Sequence, residues 1–289
     1  MNIANTPLFS VVIPTRDRNE TLALCLDRLA PGAQTLPHDR YEVIVTDDGP
    51  RAAARELLTE RYPWARWVAG PQRGPSANRN AGAHVARGEW LAFTDDDCLP
   101  GREWLAAFAA SFSPNAAALE ALEGRTTCRA GLNSPRQTAP VNLTGGVFWS
   151  CNFAVRRAGF EALGGFDERY PFAHMEDADL QSRLQKAGYM IHFVPSAEID
   201  HPPRAMAWGT RLARVHEASV LHMVLHGPVR GLPWYLQNQT RARLSRIVRN
   251  HMSVDTLSAL VSLPVELASI AWQWRGWNVR ARALAQKGP

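Results

Sequence analysis

The sequence predicts an α/β fold, with a mostly parallel sheet flanked by helices and a helical C-terminal extension. Apolar runs of strand length alternate with helical patterns through the N-terminal part of the chain, the loops are short, and polar residues cluster directly after several strands. The chain has 289 residues, of which 46% are hydrophobic and 20% are charged. These values are typical of a globular protein with one α/β domain and an extension, or with two domains.

The alternation begins with the apolar run from Phe9 to Ile13, which Pro14 ends as expected for a buried parallel strand. A helical pattern begins at Asn19 or Glu20. The next elements are a strand over 41–45, a helix over 52–61, a strand over 67–69, a helix over 76–86 and a strand over 90–93. Strands that alternate with helices across short loops form parallel sheets covered on both faces.

The middle of the chain has a weaker pattern. Residues 114–140 are rich in proline and are predicted as loop, whereas residues 147–155 are predicted as a strand. Helices are predicted over 103–112, 156–163, 176–187 and 204–226, and a strand over 189–194. We expect a first domain over residues 1–203 and a basic, Trp-rich helical extension over residues 204–289.

Three polar clusters each follow a predicted strand, and they therefore lie at the carboxyl edge of the sheet, where open α/β sheets bind ligands. They are Thr15 to Asp17, Asp47-Asp48 and Asp95 to Asp97. The sequence has no G-x-G-x-x-G after its first strand and no P-loop motif, so the usual glycine-rich phosphate sites lose their support. A phosphate ligand at this edge would need a metal ion.

The triplet Asp95, Asp96 and Asp97 is the most informative of these clusters. Adjacent carboxylates repel one another and are costly to bury, so the triplet favours a bound cation, with Asp95 and Asp97 as oxygen ligands. Taken alone, the triplet is equally consistent with a solvated acidic turn. Similarly, Glu176 and Asp177 lie in the first turn of a predicted helix, where a favourable interaction with the helix dipole alone would explain two acidic residues.

The net charge of +5 conceals an asymmetry. Residues 1–200 carry 20 basic and 24 acidic side chains, a net of −4, and residues 201–289 carry 12 basic and 3 acidic side chains, a net of +9. Because the basic part is rich in Trp and Leu, it favours an anionic membrane surface and not nucleic acid. The four cysteines contain no C-x-x-C pair, and the N-terminus has no signal-peptide pattern. We therefore expect a cytoplasmic protein, peripherally bound at the inner face of the cell membrane.

From Phe9 to about His201, the chain resembles the family 2 inverting glycosyltransferases of the GT-A fold, in which a Rossmann-like sheet binds a nucleotide diphosphate sugar. Single motifs of this kind are common, but their order and spacing are specific. They are Ser10-Val11-Val12-Ile13-Pro14-Thr15-Arg16, Val45-Thr46-Asp47-Asp48-Gly49, Gly74-Pro75-Ser76-Ala77-Asn78-Arg79-Asn80-Ala81-Gly82, Phe93-Thr94-Asp95-Asp96-Asp97, Gly164-Gly165-Phe166-Asp167 and Glu176-Asp177-Ala178-Asp179-Leu180. The resemblance leaves the last third of the chain unassigned.

The resemblance implies a nucleoside pocket formed by Pro14, Thr15, Arg16 and Asp47. Because a carboxylate can accept the imide N–H of uracil or thymine, a UDP- or dTDP-sugar is the preferred donor. Arg79, near the start of its helix, is expected to reach a phosphate or the donor sugar.

The resemblance also implies a metal site. Asp95 and Asp97 match the D-x-D motif of the family, with Asp97 as the better ligand, and Asp96 is grouped with the donor-binding residues without a firm role. His201 matches a position that often supplies a further ligand, although a single histidine is usually structural. The expected ion is Mg²⁺ or Mn²⁺.

Inversion requires one in-line attack, so one carboxylate must deprotonate the acceptor hydroxyl. By the resemblance, Asp177 is the expected base and Glu176 the second candidate. The expected reaction transfers a hexose or deoxyhexose to a hydroxyl of a glycan, a lipid-linked precursor or a small molecule. The alternatives are a nucleotidyltransferase of similar fold and a non-catalytic sugar-nucleotide-binding or scaffold protein.

The segment 257–274 is strongly apolar and near the length that spans a membrane, but Pro264 and Glu266 in its middle argue against a spanning helix. A core-packing helix, or one that joins two copies of the chain, is one alternative. The other is a helix in the membrane interface, which is indicated by three tryptophans close to arginines: Trp272, Trp274 and Trp277.

Overall fold

The computed structural model describes residues 6–113, 119–170, 172–207, 209–248 and 254–287. The chain divides into two compact units. The first contains residues 1–129 and 140–201, and the second contains residues 130–139 and 202–289. The segment 130–139 thus belongs to the C-terminal unit, and no sequence pattern indicates this membership.

The strands are β1 (Phe9–Thr15), β2 (Tyr41–Asp47), β3 (Arg66–Ala69), β4 (Trp90–Phe93), β5 (Leu99–Pro100), β6 (Glu120–Thr127), β7 (Gln137–Thr138), β8 (Phe153–Arg156), β9 (Met190–Asp200) and β10 (Arg204–Ala205). Eight of them form one sheet in the order β3-β2-β1-β4-β8-β6-β9-β5. Parallel pairing joins β1 to β2 and β4, β2 to β3, and β6 to β9. Strand β8 runs antiparallel to β4 and β6. The predicted α/β class with a mostly parallel sheet is confirmed.

The helices of the first unit are α1 (Asn19–Asp27), α2 (Ala53–Arg61), α3 (Pro75–His84), α4 (Trp104–Ala110), α5 (Arg157–Ala162) and α6 (Glu176–Lys186). Strands β1 and β4 are buried and mostly apolar, because buried clusters lie against both faces of the sheet. Val11 and Ile13 belong to one cluster with Leu22 of α1, whereas Val12 belongs to the other with Leu180 of α6. This is the alternation of side chains expected along a strand.

The register of the parallel strands brings the predicted polar clusters to one edge. Thr15 at the end of β1 is paired with Asp47 at the end of β2, and Val12 of β1 is paired with Phe93 at the end of β4. The acidic triplet follows Phe93 directly. The three clusters therefore lie at the carboxyl edge of the sheet, as expected for a ligand site.

The prediction of loop over residues 120–127 is wrong, because these residues form β6 in the interior of the sheet. Glu120 and Glu123 obscured the strand, since charged residues are depleted in strands. Both carboxylates are buried and accept backbone hydrogen bonds, Glu120 from Ser113 at 3.2 Å and Glu123 from Gly146 at 2.5 Å.

Two further element boundaries differ from the prediction. The strand predicted over 147–155 is confined to Phe153–Arg156, and the strand predicted over 189–194 continues to Asp200. The extension of β9 follows a register shift in its pairing with β6 at Gly124 and Arg125, which a sequence pattern of period two cannot show. This extension delivers residue 201 to the sheet edge.

The described residues of the C-terminal unit form a short antiparallel pair, β7 with β10, and four helices. These are α7 (Gly209–Arg214), α8 (His216–His226), α9 (Leu232–Val248) and α10 (Val254–Gln286). The pattern predicted as one helix over 204–226 therefore comprises β10, α7 and α8. Helix α10 has 33 residues and continues through Pro264.

Glu266, in the apolar middle of α10, is buried among polar partners. Its Oε1 accepts a hydrogen bond from Nη2 of Arg243 at 3.0 Å and lies 3.3 Å from Nε2 of His216. Burial opposes ionisation, but hydrogen bonds from His216 and Arg243 prevail and lower the pKa of Glu266. Nδ1 of His216 lies 2.7 Å from the hydroxyl of Tyr235. The carboxylate thus joins α10 to α8 and α9.

Among the described residues, α10 alone is long and apolar enough to cross a membrane, by length and composition. One side of the helix is packed within the C-terminal unit, where Ile270 and Trp277 are buried. The opposite side is exposed, and Trp272 is 89% exposed. The tryptophans predicted to act together therefore lie in different environments.

Candidate active site

The loop after β1 is fixed to the acidic triplet through a side-chain hydrogen bond. The hydroxyl of Thr15 donates to Oδ2 of Asp96 at 2.6 Å, and both residues are buried. Pro14 is also buried at the end of β1, whereas Arg16 is exposed. Of the residues predicted to surround the nucleoside, Thr15 is therefore directly connected to the triplet.

The two aspartates after β2 organise the neighbouring loops. Asp47 accepts backbone hydrogen bonds from Gly49 at 2.9 Å and from Ala54, in the first turn of α2, at 3.0 Å. Asp48 accepts the backbone N–H of Gln72 at 2.5 Å and that of Gly74 at 3.1 Å. Gly74 has a φ of +98°, which glycine adopts without strain. Asp47 thus lies at the predicted site, and its remaining lone pairs can accept a further donor.

Each carboxylate of the triplet has an arginine partner. Asp95 Oδ1 is 2.6 Å from Nη2 of Arg79. Asp96, whose side chain is fully buried, is held by Arg18 through both of its oxygens, and Asp97 Oδ2 is 3.0 Å from Nη1 of Arg18. Burial raises the pKa of Asp96 to about 7, although Arg18 and Thr15 oppose the shift. The loop therefore depends on cationic partners.

Arg79 lies between two acidic groups. Its side chain is almost completely buried, with Nη2 on Asp95 and Nη1 at 3.2 Å from Oε1 of Glu176. Its guanidinium also lies 5.5 Å from the ring centroid of Phe166. Because both terminal nitrogens contact carboxylates, the structure describes a bridge between the triplet and α6, and the predicted contact with a phosphate or the donor sugar stays a prediction.

Glu176 and Asp177 open α6 after Met175, which adopts a left-handed conformation at φ +71°. Burial and the neighbouring charge of Asp177 raise the pKa of Glu176 to about 7, although Arg79 opposes the shift. Asp177 accepts the N–H of Ala178 at 2.8 Å and that of Ser150 at 3.4 Å. Burial raises the pKa of Asp177, and these two N–H groups oppose the change. The two carboxylates are thus held by different partners.

His201 follows β9 and is fully buried, with Nε2 at 3.3 Å from Oδ1 of Asp97. The potential ligand atoms of Asp97, Cys98 and His201 lie within 4.8 Å of one another. A carboxylate oxygen and an imidazole nitrogen at this distance fit a divalent cation. Burial raises the pKa of the Cys98 thiol. Sulfur is also the softest of these three donors, whereas Mg²⁺ and Mn²⁺ prefer oxygen ligands. Of the three metal residues predicted from the sequence, Asp97 and His201 are therefore brought together, whereas Asp95 contacts Arg79.

Arg18 is the principal site residue that the sequence analysis missed. Its signal was present, because an arginine at the start of α1 and at the carboxyl edge is well placed to meet an acidic triplet there. The contribution of the Ser150 backbone had no sequence signal, since any residue provides an N–H.

Comparisons with known proteins identify the family of the chain. The model of Glycosyl transferase family 2 matches residues 10–164. The chain is 27% identical over 270 residues to validoxylamine A glucosyltransferase of Streptomyces hygroscopicus subsp. limoneus, covering 77% of this chain and 56% of that protein. It is 60% identical over 47 residues to N-acetylglucosaminyl-diphospho-decaprenol L-rhamnosyltransferase of Mycobacterium tuberculosis, covering 16% of this chain and 15% of that protein. The chain thus spans little more than half the length of the first relative and a small part of the second.

Solved structures share the fold. The mannosyltransferase PcManGT from Pyrobaculum calidifontis, in complex with GDP-Man and Mn²⁺, aligns with a TM-score of 0.52 and 20% identity over 99% of this chain and 80% of its own. GalNAc-T7 with UDP, GalNAc and Mn²⁺ aligns with a TM-score of 0.56 and 17% identity over 94% of this chain and 58% of its own. The fold is the GT-A arrangement, and the family match extends over more than half of the sequence. The chain belongs to glycosyl transferase family 2.

Proposed function

We propose that this chain is a metal-dependent, inverting glycosyltransferase that moves a sugar from a nucleotide diphosphate sugar to a hydroxyl acceptor. The observation that carries the proposal is the 3.3 Å separation of Asp97 Oδ1 and His201 Nε2 at the carboxyl edge of the sheet. With Asp95, these residues would hold Mg²⁺ or Mn²⁺. A divalent ion there would balance the negative charge that develops on the departing diphosphate. The Mn²⁺ in the two structural neighbours supports this assignment.

The donor-binding role is assigned to the ends of β1 and β2. Thr15 and Asp47 are paired in the sheet register, and Pro14 and Arg16 flank Thr15 in the chain. Asp47 holds two backbone N–H groups and can still accept the imide N–H of a pyrimidine base. We therefore prefer a UDP- or dTDP-sugar as the donor.

Asp177 is proposed as the base. The N–H groups of Ala178 and Ser150 orient its carboxylate, whereas Glu176 is directed to Arg79. Asp177 would take the proton of the acceptor hydroxyl as its oxygen attacks the anomeric carbon, and the bond to the diphosphate would break on the opposite face. Glu176 is the second candidate for this role.

A lipid-linked or other glycan precursor is the proposed acceptor class. The name of the mycobacterial relative, a transferase acting on a diphospho-decaprenol-linked sugar, supports a lipid-linked acceptor. An exposed surface of α10 also favours this class. We define the apolar stripe as Val254, Leu257, Val261, Val265, Trp272 and Val279.

The apolar stripe repeats at the spacing of one helix face, and its members are between 50% and 89% exposed. Arg275 and Arg282 are exposed near the C-terminal half of the stripe, within a segment of net charge +9. Apolar residues beside arginines suit an anionic lipid surface, so we propose peripheral binding at the cytoplasmic face of the membrane. A second copy of the chain is the competing occupant of this stripe.

A donor screen tests the proposal directly. The purified chain would be incubated with UDP-, dTDP- and GDP-sugars, with Mg²⁺, Mn²⁺ or EDTA, and thermal unfolding and release of the nucleoside diphosphate would be measured. A donor is expected to raise the unfolding midpoint only with metal present, because a ligand that binds the native state stabilises it. Release of nucleoside diphosphate that is unaffected by EDTA would contradict metal dependence.

A further inference from the structure

Arg18 contacts two of the three carboxylates in the acidic triplet. Its Nε donates to Oδ2 of Asp96 at 3.0 Å and its Nη2 donates to Oδ1 of the same residue. Its Nη1 donates to Oδ2 of Asp97 at 3.0 Å. The two-point contact with Asp96 fixes the plane of the guanidinium, so that the third nitrogen is aimed at Asp97.

The backbone of Arg18 is fixed, but its side chain is accessible. Its carbonyl accepts hydrogen bonds from the N–H of Leu22 at 3.0 Å and the hydroxyl of Thr21 at 3.1 Å, at the start of α1. The side chain is 44% exposed and lines a cavity of about 460 Å³. The Nη1 end of the guanidinium, which contacts Asp97, is therefore accessible to another partner.

Arg79, the other arginine at the triplet, differs from Arg18 in the exposure of its side chain and in its carboxylate partners. Its side chain is 3% exposed, and it is held between Asp95 and Glu176. Release of a buried arginine from two carboxylates would leave uncompensated charges in the interior, which is costly. Of these two arginines, Arg18 is the one with an exposed side chain, and its Nη1 can leave Asp97 while Nε and Nη2 stay on the buried Asp96.

We infer that Arg18 neutralises the carboxylate of Asp97 while donor is absent and competes with the divalent ion for that carboxylate. The inference rests on the proposed function, since Asp97 is the proposed ligand. A diphosphate oxygen offers Nη1 of Arg18 an alternative acceptor, because guanidinium groups bind phosphate as well as carboxylate. Divalent metal alone would then bind weakly, and nucleoside diphosphate would strengthen its binding. By linkage, metal would strengthen nucleotide binding by the same factor.

The test is Mn²⁺ binding without turnover, followed through the electron paramagnetic resonance signal of the free ion. Wild type, Arg18→Gln and Arg51→Gln would each be titrated with Mn²⁺ alone and with Mn²⁺ plus whichever of UDP, dTDP or GDP raises the unfolding midpoint of the wild type most. Arg51 is the matched control, because it lines the same cavity, is 81% exposed and lies 3.9 Å from Asp17. Arg18→Lys, which keeps the positive charge but lacks the planar guanidinium group, is a second variant.

Arg18→Gln is expected to bind Mn²⁺ alone about tenfold more tightly than the wild type, because a positive charge beside the ligand is removed. Arg18→Lys should be intermediate and Arg51→Gln unchanged, and nucleotide should strengthen Mn²⁺ binding less in Arg18→Gln than in the wild type. Equal or weaker Mn²⁺ binding by folded Arg18→Gln would overturn the inference and leave the metal site intact. If the wild type binds no Mn²⁺ even with nucleotide, both the inference and the proposed metal dependence fail.

Discussion

Nε2 of His201 lies 3.3 Å from Oδ1 of Asp97, although one residue follows the long strand β9 and the other follows the short strand β4. The histidine is fully buried, and the aspartate side chain is 12% exposed. An imidazole nitrogen and a carboxylate oxygen are both ligands that a divalent ion accepts, and the metal site proposed above rests on this pair. Replacing His201 with a residue of similar size separates its functional importance from its contribution to packing.

His201→Gln is expected to raise the divalent-metal concentration for half-maximal activity by at least about tenfold, because one ligand is weakened. The measurement is activity against Mn²⁺ concentration at saturating donor. His192→Gln is the control, since His192 lies on the same strand with a side chain that is 45% exposed. An unchanged metal requirement in His201→Gln would assign His201 a structural role only.

Asp177→Asn is expected to lower kcat by about 10² to 10⁴, because a positioned general base contributes about that factor. The KM for donor should change little, since Asp177 is proposed to act on the acceptor. Steady-state kinetics with varied donor would measure both constants. Glu176→Gln is the comparison, and a greater loss of kcat in Glu176→Gln than in Asp177→Asn would reverse the two roles.

Glu176 also predicts a pH dependence of stability. Its pKa is raised from 4.5 to about 7, mainly by burial and then by Asp177. The stabilising contribution of the protonated carboxyl is therefore fully present below about pH 4.5 and is lost as pH rises through about 7. Relative to wild type, the unfolding midpoint of Glu176→Gln should become higher by a few degrees between pH 5 and pH 8. Thermal unfolding of both proteins across this range is the measurement, and a constant difference would contradict the assigned pKa.

The sequence was sufficient for the fold class and for the approach of the polar clusters to one edge, because both depend on the alternation of strands and helices. It was insufficient for β6, whose buried Glu120 and Glu123 resemble surface residues until their backbone partners are known. Similarly, an arginine such as Arg79 is a residue type that often binds phosphate. Only the packed structure shows that both of its terminal nitrogens contact carboxylates. Such pairings depend on contacts between residues far apart in the chain, which local patterns do not encode.

Helix α10 is a comparable case, because its three tryptophans near the C-terminus differ in exposure. Trp277 is buried within the C-terminal unit, Trp274 lies 5.0 Å from the ring of Tyr235, and Trp272 is exposed. The sequence pattern did not indicate which of these three tryptophans is buried and which is exposed. The structure therefore distinguishes the exposed tryptophan from the packed ones.

The apolar stripe predicts binding to anionic vesicles that requires both apolar and basic residues. The full chain should float with vesicles containing phosphatidylglycerol and remain in the dense fraction with phosphatidylcholine alone. Added salt should weaken the binding, because screening reduces the attraction between arginines and lipid headgroups.

The combined substitution Val261→Ser and Trp272→Ser should lower vesicle binding by at least about tenfold, since it removes two exposed apolar groups from the stripe. Leu24→Ser is the control, because Leu24 is 56% exposed on α1 of the first unit. The elution volume of each protein in size-exclusion chromatography would be measured in parallel. A wild type that remains dense with anionic vesicles but elutes as a dimer, and becomes monomeric in the stripe variant, would assign the stripe to a second copy of the chain and exclude the membrane role.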